Sequence, residues 1–146
     1  MSVSWKNSFN IGILEIDAQH RELFSRLDTL EEAITKGKVK EVLLDTFRFL
    51  DAYVRRHFRA EEELQQLYHY PHQAMHAAEH QSFIARLHEY ESRLTTEGPS
   101  ESLARHTNSF LTQWLISHVT SLDTKLSGYI DAERTRQWET WLVSHF

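Results

Sequence analysis

Along four stretches of the chain, apolar side chains return every three or four residues, the period of a helix with one face against a core. The first stretch carries His20, Leu23, Leu27, Leu30 and Ile34, with Asp17 placed as an N-cap and Gly37 as a stop. In the second, Leu43, Phe47, Leu50, Val54, His57, Glu61 and Leu64 alternate steps of four and three, the seam of a helix packed in a bundle. Pro71 ends that helix or opens the next. The third holds His76, His80, Phe83, Leu87, Tyr90 and Leu94, and the fourth Leu103, Phe110, Trp114, His118 and Leu122. Between them Thr95 to Ser100, with Gly98 and Pro99, reads as a loop. Short connections between long amphipathic helices predict an all-α, up-down-up-down four-helix bundle over residues 1–128. Residues 1–16, with Trp5, Phe9, Ile11 and Ile13, lack a helical period and read as an extended N-terminal arm. Residues 129–146 form a short C-terminal extension carrying Tyr129, Ile130, Trp138, Trp141, Leu142 and Phe146. It is expected to pack on the bundle as an amphipathic helix or to contact another subunit.

Composition narrows the function classes. Four Gly and two Pro are few for a turn-rich sheet fold. A formal charge of −5 gives no basic surface for nucleic acid. The absence of Cys excludes disulfides, thiolate metal sites and a Cys nucleophile. No apolar run approaches the roughly 18 residues of a membrane span, and the start lacks the basic and apolar regions of a signal peptide. A cytoplasmic protein without membrane association is the expectation.

Polar residues in the seams carry the chemistry. His57 and Glu61, and likewise His76 and His80, are four apart, which brings each pair to within about 40° on one helical face. His20, His118 and Asp123 complete the set. A single seam histidine is ordinarily a hydrogen-bonded core residue. Five imidazoles and two carboxylates are different, because each uncompensated buried polar group costs about 1–3 kcal/mol. Together they would rival the roughly 5–15 kcal/mol stability of a domain. Bound cations remove that penalty. The set exceeds the four ligands of a tetrahedral zinc and fits two octahedral ions sharing the carboxylates. Five residues beyond His118, or about 140° on an α-helix, Asp123 is expected at the edge of its helix, a place that suits a bridge. Glu62, Glu63, His69, His72, His88, His106 and His145 read as surface or turn residues.

Several ordered pieces resemble the hemerythrin family, most closely its single-domain bacterial form. They are Ile16-Asp17-Ala18-Gln19-His20, His57-Phe58-Arg59-Ala60-Glu61-Glu62, Tyr70-Pro71 followed by His76 and His80, and Trp114-Leu115-Ile116-Ser117-His118 with Asp123. Trp5 and Gly12 fit the family's arm. The resemblance implies two non-haem iron ions with an oxo or hydroxo bridge and dioxygen as reversible ligand. His76, His80 and His118 would hold one iron, and His20 and His57 the other, which keeps an open position. Glu61 and Asp123 would bridge. Leu23, Phe58, Trp114, Leu115 and Val119 match the apolar positions that keep the ligand pocket dry.

One departure is Gln65, where the family usually has Met. A polar amide there is expected to shorten the life of the oxygen adduct. The resemblance implies oxygen storage or delivery to oxygen-requiring enzymes rather than catalysis. The alternatives are a sensor of oxygen, redox state or iron, or a di-iron oxidase, peroxidase or nitric oxide reductase. Partners would be an oxygen-consuming enzyme or a second copy engaged through residues 129–146.

Overall fold

The computed structural model describes residues 12–145, so Trp5, Phe9 and Ile11 of the arm lie outside the described part. Four helices, α1 (Leu14–Thr35), α2 (Val39–Leu67), α3 (Gln73–Glu97) and α4 (Glu101–His118), follow the four apolar stripes. Helix α1 packs on α2 and α4, and α3 packs on the same two, so the helices follow one another around a square, up-down-up-down bundle. A π-helical turn, Val119–Asp123, continues α4, and α5 (Thr124–His145) leaves from it without a loop.

The connections follow from local chemistry. At the end of α1, Gly37 takes φ +70°, and the Lys38 N–H returns to the Ala33 carbonyl at 2.8 Å, which satisfies a terminal carbonyl of the helix. Gly98 closes α3 at φ +78°, and the Ser100 hydroxyl caps α4 by accepting from the Leu103 N–H at 3.0 Å.

The start of α1 corrects the expected cap. The helix begins at Leu14, so Asp17 lies inside it, and its carboxylate reaches back to accept the Gly12 N–H at 3.2 Å. Asp17 therefore serves the entry of the chain from within the first turn, a role a side-chain acceptor can take from either side of a helix start.

Leu23, Leu27, Leu30, Leu43, Phe47, Leu50, Phe83, Leu87, Leu103 and Leu111 fill the centre of the bundle. A smaller apolar cluster of Tyr70, Leu126 and Ile130 ties the base of α5 to the α2–α3 turn. There the Tyr129 hydroxyl lies 3.1 Å from the Tyr68 carbonyl, and Arg134 Nε donates to the Tyr68 hydroxyl at 2.9 Å. The extension thus packs on the bundle through its first turns. Residues 131–145 contain no buried side chain, and Trp138 and Trp141 stack on each other in the open.

Candidate metal centre

The heptad seam of α2 turns polar one helical turn apart, at His57 and Glu61, and α3 does the same at His76 and His80. With His20 from α1, His118 from the last turn of α4 and Asp123 from the π turn, all seven side chains meet at the middle of the bundle. None is more than 3% exposed. Glu61, His76, His80 and His118 each offer a ligand atom within 4.8 Å of the others, and His20, His57 and Glu61 do likewise.

The two carboxylates face both groups. Glu61 presents Oε1 to His57 and His20, at 3.1 and 3.5 Å from their Nε2 atoms. Its Oε2 turns to His80, His76 and His118, at 3.1, 3.5 and 3.8 Å. Asp123 divides in the same way, with Oδ2 3.0 Å from His20 and Oδ1 3.0 Å from both His76 and His118.

The π turn explains how Asp123 arrives there, and corrects its expected position. On an α-helix a residue five places on is displaced by about 140°. Bonding from i to i+5 widens the turn and brings that residue back beneath the first. Asp123 therefore comes in below His118 rather than at the edge of the helix.

The donor atoms fit cations. The Nε2 atoms of His76 and His80 lie 3.1 and 3.2 Å from that of His118, so three ring nitrogens converge on one point. None of the four carboxylate oxygens of Glu61 and Asp123 is met by a well-aligned N–H among the described residues. Without an ion, protons balance the charge. Burial alone would lower the His20 and His76 imidazoles, but Asp123 and then Glu61 outweigh it and raise both to about 9. His118 is raised for the same reason, whereas burial prevails over Glu61 at His80 and lowers it. Burial would also raise Glu61, yet His57, His118 and His20 hold it well below the ordinary carboxylate range. Asp123 is held low by His118 and His20 against burial and the charge of Glu61.

Outer partners aim the rings. His57 Nδ1 is 2.6 Å from Gln19 Oε1, and His80 Nδ1 is 3.5 Å from Glu62 Oε1. The sequence reading passed over both partners. Glu62 is only partly exposed and turns inward instead of joining the solvated face assigned to it. The signal for Gln19 was its place beside His20 on the inner side of α1.

Phe58 stacks on His80 with ring centroids 3.8 Å apart, and Trp114 stacks on His118 at 4.3 Å. Leu23, Phe58, Leu115 and Val119 are buried in the same apolar cluster, with half-buried Trp114 against it. At the surface, Asp51, His88 and Glu91 also come within ligand range. A guanidinium already sits there, since Arg55 contacts His88 at 2.9 Å and Asp51 at 3.3 Å.

Comparison with known proteins decides the family. The hemerythrin HHE cation-binding domain matches residues 12–130. The chain belongs to the hemerythrin family. A bacteriohemerythrin of Stenotrophomonas maltophilia is 31% identical over 149 residues, covering 94% of this chain and 91% of that one. A bacteriohemerythrin of Pseudomonas aeruginosa is 30% identical over 130 residues, covering 89% and 80%. A hemerythrin-like protein of Naegleria fowleri is 28% identical over 127 residues, covering 87% and 92%. The hemerythrin match spans the four bundle helices and the π turn and ends where α5 leaves the bundle.

Proposed function

We propose that this hemerythrin binds dioxygen reversibly at a pair of non-haem irons. His76, His80 and His118 would hold one ion, His20 and His57 the other, with Glu61 and Asp123 shared. The observation that carries the reading is the division of the carboxylates, each giving one oxygen to either histidine group. When bound, two ferrous ions supply the two electrons that dioxygen borrows and returns.

The chain's own residues set the conditions. The group with two imidazoles has one protein donor fewer than the group with three, which favours an open position on that side. Phe58, Trp114, Leu23, Leu115 and Val119 surround the centre with apolar surface. That surface admits a small apolar gas and excludes the water and protons that would convert binding into oxidation. Gln19 and Glu62 hold their imidazoles in the tautomer that turns Nε2 inward.

In this reading the protein works in the cytoplasm, storing oxygen or delivering it to oxygen-consuming enzymes. No helix among the described residues is long and apolar enough to cross a membrane. A second reading, oxygen or redox sensing, is favoured by one feature. Asp123 is followed at once by α5, whose outer turns carry no buried side chain and present their aromatic residues at the surface.

The test is an oxygen balance on the iron-loaded protein. Uptake of one dioxygen per chain, given back unchanged under argon with no peroxide, supports the carrier. Consumption of oxygen with peroxide release would assign it to oxidase chemistry.

A further inference from the structure

Gln65 is fully buried on α2, one turn beyond Glu61, and its amide lies against the outer edge of His76. Gln65 Nε2 is 2.8 Å from His76 Nδ1, while Gln65 Oε1 has no hydrogen-bond partner among the described residues. The other ring nitrogen, Nε2, faces inward, 3.0 Å from Asp123 Oδ1. This differs from His57 and His80, whose outer nitrogens meet oxygen acceptors, Gln19 Oε1 and Glu62 Oε1. An oxygen facing Nδ1 commits it to carry the proton. The Gln65 amide presents its NH₂ instead, and with a donor and an acceptor on one rotatable group it can present either.

The ring has two requirements. In the neutral ring with its proton on Nε2, Nδ1 is an acceptor and is answered by the amide NH₂. In the imidazolium, and when the Nε2 lone pair is given to a metal, a proton sits on Nδ1 and needs an oxygen. Since Oε1 is engaged with nothing else, a half-turn of the amide exchanges the two without breaking another side-chain bond.

We propose that Gln65 is the positioning residue for His76, donating to Nδ1 in one state of the ring and accepting from Nδ1–H when Nε2 ligates a metal. The ligand-bound half of the proposal rests on the two-metal reading above. The contact with the metal-free ring stands on the observed geometry. Glutamate at this place would serve the ligating state alone, and methionine would fill the space and serve neither.

The experiment uses zinc(II) as a diamagnetic probe, with the full chain labelled with ¹⁵N. Zinc affinity and the ring ¹⁵N shifts of the histidines are followed in the natural chain, Gln65→Met and Gln65→Glu. Expected for Gln65→Met is a loss of roughly 10-fold or more in zinc affinity, the usual effect of removing an outer partner, with His76 shifts moved and those of His57 and His80 unmoved. Gln65→Glu is expected to restore the affinity, which a role in packing alone does not predict, because Met packs as well. Zinc binding by Gln65→Met within twofold of the natural chain, with unchanged His76 shifts, would overturn the role of Gln65 and leave the two-metal reading standing. No stoichiometric zinc in the natural chain would overturn both.

Discussion

His118 and Asp123 are five residues apart, yet their side chains meet at 3.0 Å because the turn between them is π-helical. The wider turn places a carboxylate under an imidazole where an α-helix would have turned it away. In the proposed two-metal centre it would let one helix end supply both a terminal ligand and a shared one. Replacing Asp123 by Ala is expected to reduce iron uptake from two per chain to one or fewer. In the metal-free protein it should also lower the His20 and His76 titrations from about 9, since Asp123 is the leading partner that raises both. Metal analysis and an NMR pH titration check the two outcomes.

Metal binding should strengthen with pH up to about 9. His20 and His76 titrate near that value in the metal-free centre, so a metal ion must displace their protons at lower pH. The stability of the metal-free protein should run the other way. Both groups are raised above the unfolded value, so their contribution is complete below about 6.5 and is lost as pH rises through about 9. Glu61 and Asp123 are depressed, so their contribution is present above the ordinary carboxylate range and is lost on acidification through their lower folded values. Metal titrations and urea unfolding at several pH values test both signs.

Gln19→Leu removes the oxygen 2.6 Å from His57 Nδ1 while keeping the side chain's bulk. The expected result is metal affinity weaker by about 10- to 100-fold with little change in fold, read from a competition titration against a chelator of known affinity.

Ile130 and Trp138 lie two turns apart on α5 but differ in environment. Ile130 is fully buried at the base of the helix, whereas Trp138 is 58% exposed. Ile130→Ala should cost about 2–5 kcal/mol, and Trp138→Ala should stay within about 0.5 kcal/mol. Urea denaturation of the two variants measures the contrast.

Gln65→Met is expected to slow autoxidation of the oxygenated protein. A hydrogen-bond acceptor on His76 strengthens that imidazole as a donor and favours the ferric state, and methionine withdraws it. The rate of bleaching in air, compared with the natural chain, is the measurement.

The bundle and the residues of its centre were legible because burial leaves a period in the sequence. His57 and Glu61 break the apolar seam of α2 without breaking its step, and such a break calls for compensation by something absent from the chain. The features that escaped were those without a period. A π turn differs from an α-helix by a single residue in its bonding, so the 118–123 spacing pointed to the edge of the helix. Glu62 stands in an acidic run between buried Glu61 and exposed Glu63, and only the fold shows it reaching His80. Asp17 has the chemistry of a cap but sits a turn inside the helix, because the helix start was set by backbone geometry at Gly12 and Ile13. The open half of α5 carries aromatic residues at helical spacing, a pattern that does not tell a covered face from an exposed one.

The most direct test of the account is anaerobic loading with ferrous iron, followed by metal analysis and by visible absorption during repeated exposure to air and argon. Two irons per chain are expected, with charge-transfer bands that appear in air and fade under argon over repeated cycles. Absence of stoichiometric iron, or bands that form once and never reverse, would contradict a reversible oxygen-binding di-iron centre.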